Sequence, residues 1–219
     1  MPLMNSDCLL EMVSRFPRLY AITDRELTGL SHTEQVRRLA AAGVRLIQLR
    51  DKTAPPRQFY EDAQAAMRVA RQSGVTLIIN DRVDIALAVA ADGVHVGQDD
   101  LPPDKARALL GPRRIIGCST HNLSQARAAD RYPIDYIAIG PVFPTSTKSD
   151  HQPAVGLELV RQVRQAVTKP LVAIGGITLE TAPEVIRAGA DAVAVISGLL
   201  RAPDITRRAR EFRLALGEE

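Results

Sequence analysis

The sequence predicts an α/β protein built as a single eight-stranded parallel β/α barrel. Three observations carry this expectation. Eight short apolar runs are spread evenly along the chain, and alanine-rich amphipathic stretches fill the intervals. The 219 residues shared among eight units leave about 27 for each, the size of a compact strand–helix repeat. The runs are continuous rather than alternating in hydrophobicity, as are strands covered on both faces of a parallel sheet.

In chain order, the first strand is placed at 19–23, and a helix at 32–42 leads to the second strand at 46–50. A long helix at 56–72 precedes the third strand at 76–80, a helix at 83–90 the fourth at 93–96, and a helix at 103–110 the fifth at 115–119. Asn122 is placed to cap a helix starting at Leu123. The sixth strand follows at 136–139, then a helix at 157–167, the seventh strand at 171–174, a helix at 179–188 and the eighth strand at 192–196. Several helices leave through small residues: Ala41-Ala42-Gly43-Val44, Ala90-Ala91-Asp92-Gly93 and Ala188-Gly189-Ala190-Asp191. Glycine there suits a left-handed C-terminal cap. A doubly wound sheet would show the same alternation, but no Gly-x-Gly-x-x-Gly turn follows the first strand and Gly29 stands alone. Residues 1–18 read as an N-terminal extension and 19–219 as one catalytic barrel domain.

Composition narrows the class of function. At 46% hydrophobic the chain can bury a large aliphatic core. Its net charge of +3 and basic pI of about 9.1 come from Lys and Arg interspersed with Asp and Glu, which favours small acidic ligands over a nucleic-acid surface. Cys8 and Cys118 are far apart and belong to no Cys/His cluster, in keeping with a reducing, cytoplasmic setting. No secretory leader and no membrane-spanning run is expected.

In such a barrel, residues just past each strand gather at one mouth. Gln48, Arg50 and Lys52 alternate, so they share a face where the second strand meets its loop. A planar guanidinium and a mobile ammonium suit phosphate oxygens, and an amide suits a polar heterocycle. Asn80-Asp81 and Gly97-Gln98-Asp99-Asp100 follow the third and fourth strands. Asp81 and Asp100 together offer the usual protein share of a magnesium site that also holds phosphate. Asp81 is equally well placed to cap a helix from Val83, and Asp99 or Asp100 to make a turn before Leu101-Pro102-Pro103.

Ser119 ends the fifth strand as a candidate phosphate donor, whereas His95 and His121 lack the spacing of a triad or a metal site, and Cys118 reads as core. The loop Gly140-Pro141-Val142-Phe143-Pro144-Thr145-Ser146-Thr147-Lys148 resembles a lid whose hydroxyls and lysine suit a polyanion. Gly175-Gly176 and Ile196-Ser197 follow the seventh and eighth strands, where barrels commonly bind phosphate. Two anion sites imply two substrates.

Taken in order, Tyr20-Ala21-Ile22-Thr23-Asp24, Gln48-Leu49-Arg50-Asp51-Lys52, Asn80-Asp81, His95 to Asp100, Gly117 to His121, Gly140 to Lys148, Gly175-Gly176-Ile177-Thr178 and Ile196-Ser197 resemble the motifs of the thiamine-phosphate synthase family. The resemblance covers nearly all of 19–200. It implies condensation of 4-amino-5-hydroxymethyl-2-methylpyrimidine diphosphate with 4-methyl-5-(2-phosphoethyl)thiazole to thiamine phosphate and diphosphate. It further implies that Gln48, Arg50, Lys52, Asn80, Ser119 and Lys148 hold the pyrimidine diphosphate, in a substrate site that also takes in Leu49, Asp51 and Ser146. Thr145, Thr147, Gly176, Ile196 and Ser197 would hold the thiazole phosphate. Arg50, Lys52, Ser119 and Lys148 would act in catalysis, with Mg2+ on Asp81 and Asp100. A thiazole tautomerase on the same barrel and a non-catalytic sensor of phosphate ligands are the competing readings. The tautomerase would leave Arg50, Lys52, Asp81 and Asp100 without a shared purpose.

Overall fold

A computed structural model describes residues 16–145 and 153–218. Its strands are β1 (Leu19–Thr23), β2 (Leu46–Leu49), β3 (Thr76–Asn80), β4 (Gly93–Val96), β5 (Ile115–Thr120), β6 (Tyr136–Ile139), β7 (Leu171–Ile174) and β8 (Ala192–Val195). Each pairs in parallel with its sequence neighbours, and β1 pairs with β8 to close the barrel. Around it run α1 (Arg25–Thr28), α2 (His32–Ala41), α3 (Pro56–Ser73), α4 (Val83–Ala88), α5 (Pro103–Leu110), α6 (Leu123–Asp130), α7 (Gly156–Ala166), α8 (Ala182–Arg187), α9 (Ser197–Leu200) and α10 (Ile205–Ala215). The short α1 and α9 and the closing α10 are additions to the elements read from sequence.

The helices form for local reasons and bury one face each. Ser31 caps α2 by accepting from the Glu34 N–H, and His32, Gln35, Val36 and Leu39 then fall on the buried side at helical spacing. In α3 the buried face is Phe59, Ala63, Ala66, Met67 and Ala70, and Gly74 ends it at φ 64°. Asn122 caps α6 as expected, accepting from the Gln125 N–H at 2.9 Å. The expected helix at 179–188 is shorter, because Thr178 and Thr181 hold a turn through the Thr178 N–H to Thr181 Oγ1 bond of 2.9 Å, a local alternative to helix.

Of the small-residue exits, Gly43 and Gly189 are left-handed, but at 90–93 it is Ala90 that takes φ 53°. Gly93 instead opens β4, where a Cβ would stand 2.2 Å from the Ile115 carbonyl oxygen.

Every strand residue except Ile174 is buried. The outward faces pack aliphatic side chains such as Leu49, Leu77 and Val94 against the helices; truncating one to alanine costs about 2–5 kcal/mol. The interior differs. Tyr20 of β1 and Tyr136 of β6 meet inside the barrel with ring centroids 5.9 Å apart and hydroxyls at 3.0 Å. Gly117 of β5, paired with Tyr136 in register, makes the room: a Cβ there would lie 2.0 Å from Tyr136 Cζ. Phe16 packs on the same ring at 5.4 Å. Among the described residues no helix is long and apolar enough to cross a membrane.

Candidate active site

The carboxyl ends of the strands surround one cavity of about 480 Å³. On one side it is lined by Arg50, Lys52, Asn80, Asp81, Asp100 and Ser119, and on the other by Thr145, Gly176, Ile196 and Ser197. Residues up to about 150 positions apart in sequence thus converge as the barrel topology requires. Three residues of the expected set are placed elsewhere. Gln48 points inward beneath the cavity and donates from Nε2 to the Tyr20 hydroxyl at 2.8 Å. Leu49, one residue out of the inward register, is fully buried in the apolar core. Asp51 folds the loop that carries Arg50 and Lys52: its Oδ1 accepts from the Thr53 and Ala54 N–H groups at 3.0 and 2.8 Å. Ser146, Thr147 and Lys148 lie outside the described residues.

Arg50 is 8% exposed and is held by Asp24, whose Oδ2 accepts from Nη1 at 3.0 Å while its Oδ1 caps α1 through the Leu27 N–H. Among the described residues the buried Arg50 Nε finds no acceptor. A buried donor left in that state calls for an anion.

Lys52 Nζ reaches Asp81 Oδ2 at 2.6 Å. Burial raises the Asp81 carboxyl above the ordinary carboxylate range, with the Lys52 ammonium opposing and the neighbouring Asp100 carboxyl adding to the rise. Asp81 does not cap α4. Arg82 occupies that position without a side-chain capping bond, and Asp81 takes a left-handed φ of 61° that turns its carboxylate to the mouth, its N–H donating to the His95 carbonyl. Asp100 closes the turn after β4, its Oδ2 accepting from the Gly97 N–H at 2.7 Å. Among the described residues no three His, Cys, Asp or Glu side chains gather as a metal cage.

Ser119 Oγ lies 2.8 Å from His95 Nε2, whose other ring nitrogen lies 2.8 Å from the Tyr136 hydroxyl. Gln98 braces the same strand end by donating to the Ser119 carbonyl at 2.6 Å. His121 Nδ1 donates to the Gly140 carbonyl at 2.7 Å, so Nδ1 carries a hydrogen. Burial, with the Asp100 charge adding, pushes the Cys118 thiol up to about 11, so it is no nucleophile.

Across the cavity, Gly175 and Gly176 take φ of 103° and 65°. The directions their Cβ atoms would take are filled by Pro141 at 2.4 Å and by Phe143 and Pro144 at 2.6–2.8 Å. These glycines therefore seat the β6–α7 loop on the end of β7, an attachment completed by the Phe143 N–H to Gly175 carbonyl bond of 3.0 Å.

A family model described as thiamine monophosphate synthase matches residues 19–199. The chain belongs to this family. A thiamine-phosphate synthase of Syntrophomonas wolfei is 49% identical over 92% of this chain and 97% of its own length. One from Chloroflexus aurantiacus is 48% identical over 90% and 91%. The solved thiamine phosphate pyrophosphorylase of Pyrococcus furiosus is 38% identical, with a TM-score of 0.85 over 93% of this chain and 96% of that one. The chain is accordingly an enzyme of thiamine biosynthesis, a transferase.

Within this family member, sequence reasoning assigned no role to Asp24, Tyr20 and Tyr136, although Tyr20 and Asp24 stand in one of the matching motifs. Tyr20 and Tyr136 are the polar aromatics of otherwise aliphatic strands, and that was the available signal.

Proposed function

We propose that the mouth condenses 4-amino-5-hydroxymethyl-2-methylpyrimidine diphosphate with 4-methyl-5-(2-phosphoethyl)thiazole. The observation that carries this reading is Arg50, a buried guanidinium whose Nε awaits an acceptor beside Lys52 and the Asp81–Asp100 pair in one cavity. Arg50, Lys52 and Ser119 receive the diphosphate, with Asn80 at the same wall and Lys148 assigned to it by the family motif. Two carboxylates with remaining positions for diphosphate oxygens and water fit magnesium. Bound at Asp81 and Asp100, Mg2+ would neutralise charge on the departing diphosphate.

The bond from the pyrimidine methylene to the diphosphate oxygen breaks with its electron pair leaving on oxygen, where the cationic side chains stabilise it. The amino-substituted ring delocalises the positive charge left on the methylene, and the thiazole nitrogen supplies the pair for the new carbon–nitrogen bond. No protein nucleophile is needed. The thiazole phosphate is assigned to Thr145 of the β6–α7 loop, Gly176 after β7, and Ile196 and Ser197 at the start of α9.

The test is a product assay with both substrates and Mg2+. Stoichiometric thiamine phosphate and diphosphate are expected. Isomerisation of the thiazole alone would favour a tautomerase, and binding without turnover a sensor.

A further inference from the structure

Five side chains form one continuous hydrogen-bonded line through the barrel interior: Gln48, Tyr20, Tyr136, His95 and Ser119, with successive separations of 2.8, 3.0, 2.8 and 2.8 Å. They come from β2, β1, β6, β4 and β5, so the line exists only in the closed barrel. All five are buried, Tyr20 and Tyr136 at 1% and 0% exposure. Unsatisfied polar atoms at such depth are costly, so each proton has a definite destination.

We propose that this line is a one-way relay that fixes His95 as the neutral tautomer with its hydrogen on Nε2 and thereby turns the Ser119 hydroxyl proton into the substrate cavity. The direction follows from donor and acceptor inventory. The Gln48 amide nitrogen only donates, so Tyr20 Oη accepts from it. Tyr20 then spends its single proton on its other partner among the described residues, Tyr136. Tyr136, having accepted, donates to His95 Nδ1. That nitrogen is therefore the acceptor, and Nε2–H donates to Ser119 Oγ. Ser119, with one lone pair engaged, gives its own proton to an anionic oxygen in the mouth. Burial lifts both phenols far above their ordinary range, so each keeps the proton it must donate. Gln48, Tyr20 and Tyr136 are positioning residues beneath the cavity, His95 lines the cavity and orients Ser119, and Ser119 is the group assigned to the ligand's anionic oxygen.

The opposite amide orientation at Gln48 would reverse every link. The glutamine oxygen would accept from Tyr20, His95 would carry its hydrogen on Nδ1, and Ser119 would donate into the imidazole and away from the cavity. The two directions thus differ at an observable atom.

The experiment is long-range proton–nitrogen correlation of the full chain labelled with nitrogen-15 histidine, with His95 assigned by its loss in His95→Gln. At neutral pH we expect the Nε2–H tautomer. A hydrogen on Nδ1, or an imidazolium, would overturn the relay, and this measurement needs no variant beyond the assignment. In Tyr136→Phe the Nδ1 resonance should move toward that of an unbonded ring nitrogen, and an unmoved resonance overturns the proposal. The kinetic arm rests on the proposed condensation: Tyr136→Phe should lower kcat/KM for the pyrimidine diphosphate about tenfold with KM for the thiazole phosphate unchanged. Equal losses for both substrates would overturn the link to Ser119. Because the tautomer is read without turnover, failure of the relay and failure of the proposed reaction are distinguishable.

Discussion

Lys52 Nζ stands 2.6 Å from Asp81 Oδ2, so the cation proposed for the diphosphate is also the one that balances a carboxylate of the proposed magnesium pair. Arrival of a divalent cation at Asp81 would release Lys52 toward the substrate. Activity is therefore expected to vanish on chelation and to return with Mg2+, and Asp81→Asn and Asp100→Asn should each lower kcat/KM by about 10²-fold or more. Full turnover in chelated buffer would refute the metal's role.

Arg50→Lys keeps the charge but loses the planar fork that spans Asp24 and the cavity. A drop of about 10²-fold in kcat/KM for the pyrimidine diphosphate is expected. Arg50→Met should also lower thermal stability, by about 3 kcal/mol, because Asp24 is left buried without its partner. Denaturant melts of the two variants separate the effects: a loss of stability in Arg50→Met but little in Arg50→Lys is the expected pattern.

Gly176→Ala combines a left-handed φ with contacts of 2.6–2.8 Å to Pro144 and Phe143, so the β6–α7 loop must move away from β7. Thr145 moves with it. KM for the thiazole phosphate should rise by about tenfold or more, while the affinity for the pyrimidine diphosphate, measured calorimetrically, stays near that of the parent. If only the diphosphate affinity changed, the two anion sites would be exchanged.

His32 is fully buried between Thr23 and Asp51, and burial pulls its imidazole below the ordinary value of 6.5, against the pull of Asp51. The unfolded chain then binds more protons than the folded one once pH falls below about 6.5. The stability tied to neutral His32 is present above that pH and is lost as pH falls toward the lowered folded value. Replacing His32 with Gln should flatten the acid side of a plot of stability against pH, measured by denaturant titration. An unchanged slope would show that His32 does not govern it.

The fold was legible because the barrel's demands are local: a run such as Leu171–Ile174 is apolar on both faces, and its limits matched the structure residue for residue. Ends were less legible where side chains intervene. Arg50 reads as strand, yet β2 stops at Leu49 and the Arg50 N–H turns to Thr23 Oγ1. The cavity wall at Arg50, Lys52, Asp81, Asp100 and Ser119 was readable from position after a strand. The partners beneath it were not: Asp24 and Arg50 are 26 residues apart, and Tyr136 meets His95 across 41, so only the closed barrel sets those pairs side by side.

The missing Cβ at position 117 and the ring at position 136 are complementary in size, since any side chain at the first would occupy space held by the second. The two positions are constrained jointly rather than singly. A relative that carries a larger residue at 117 has to surrender the tyrosine at 136, and with it the hydroxyl that addresses His95. Across aligned relatives the pair should covary, glycine accompanying tyrosine and bulk at 117 accompanying a smaller residue at 136. Enlarging Gly117 in this chain would call for a second substitution before the barrel could close again.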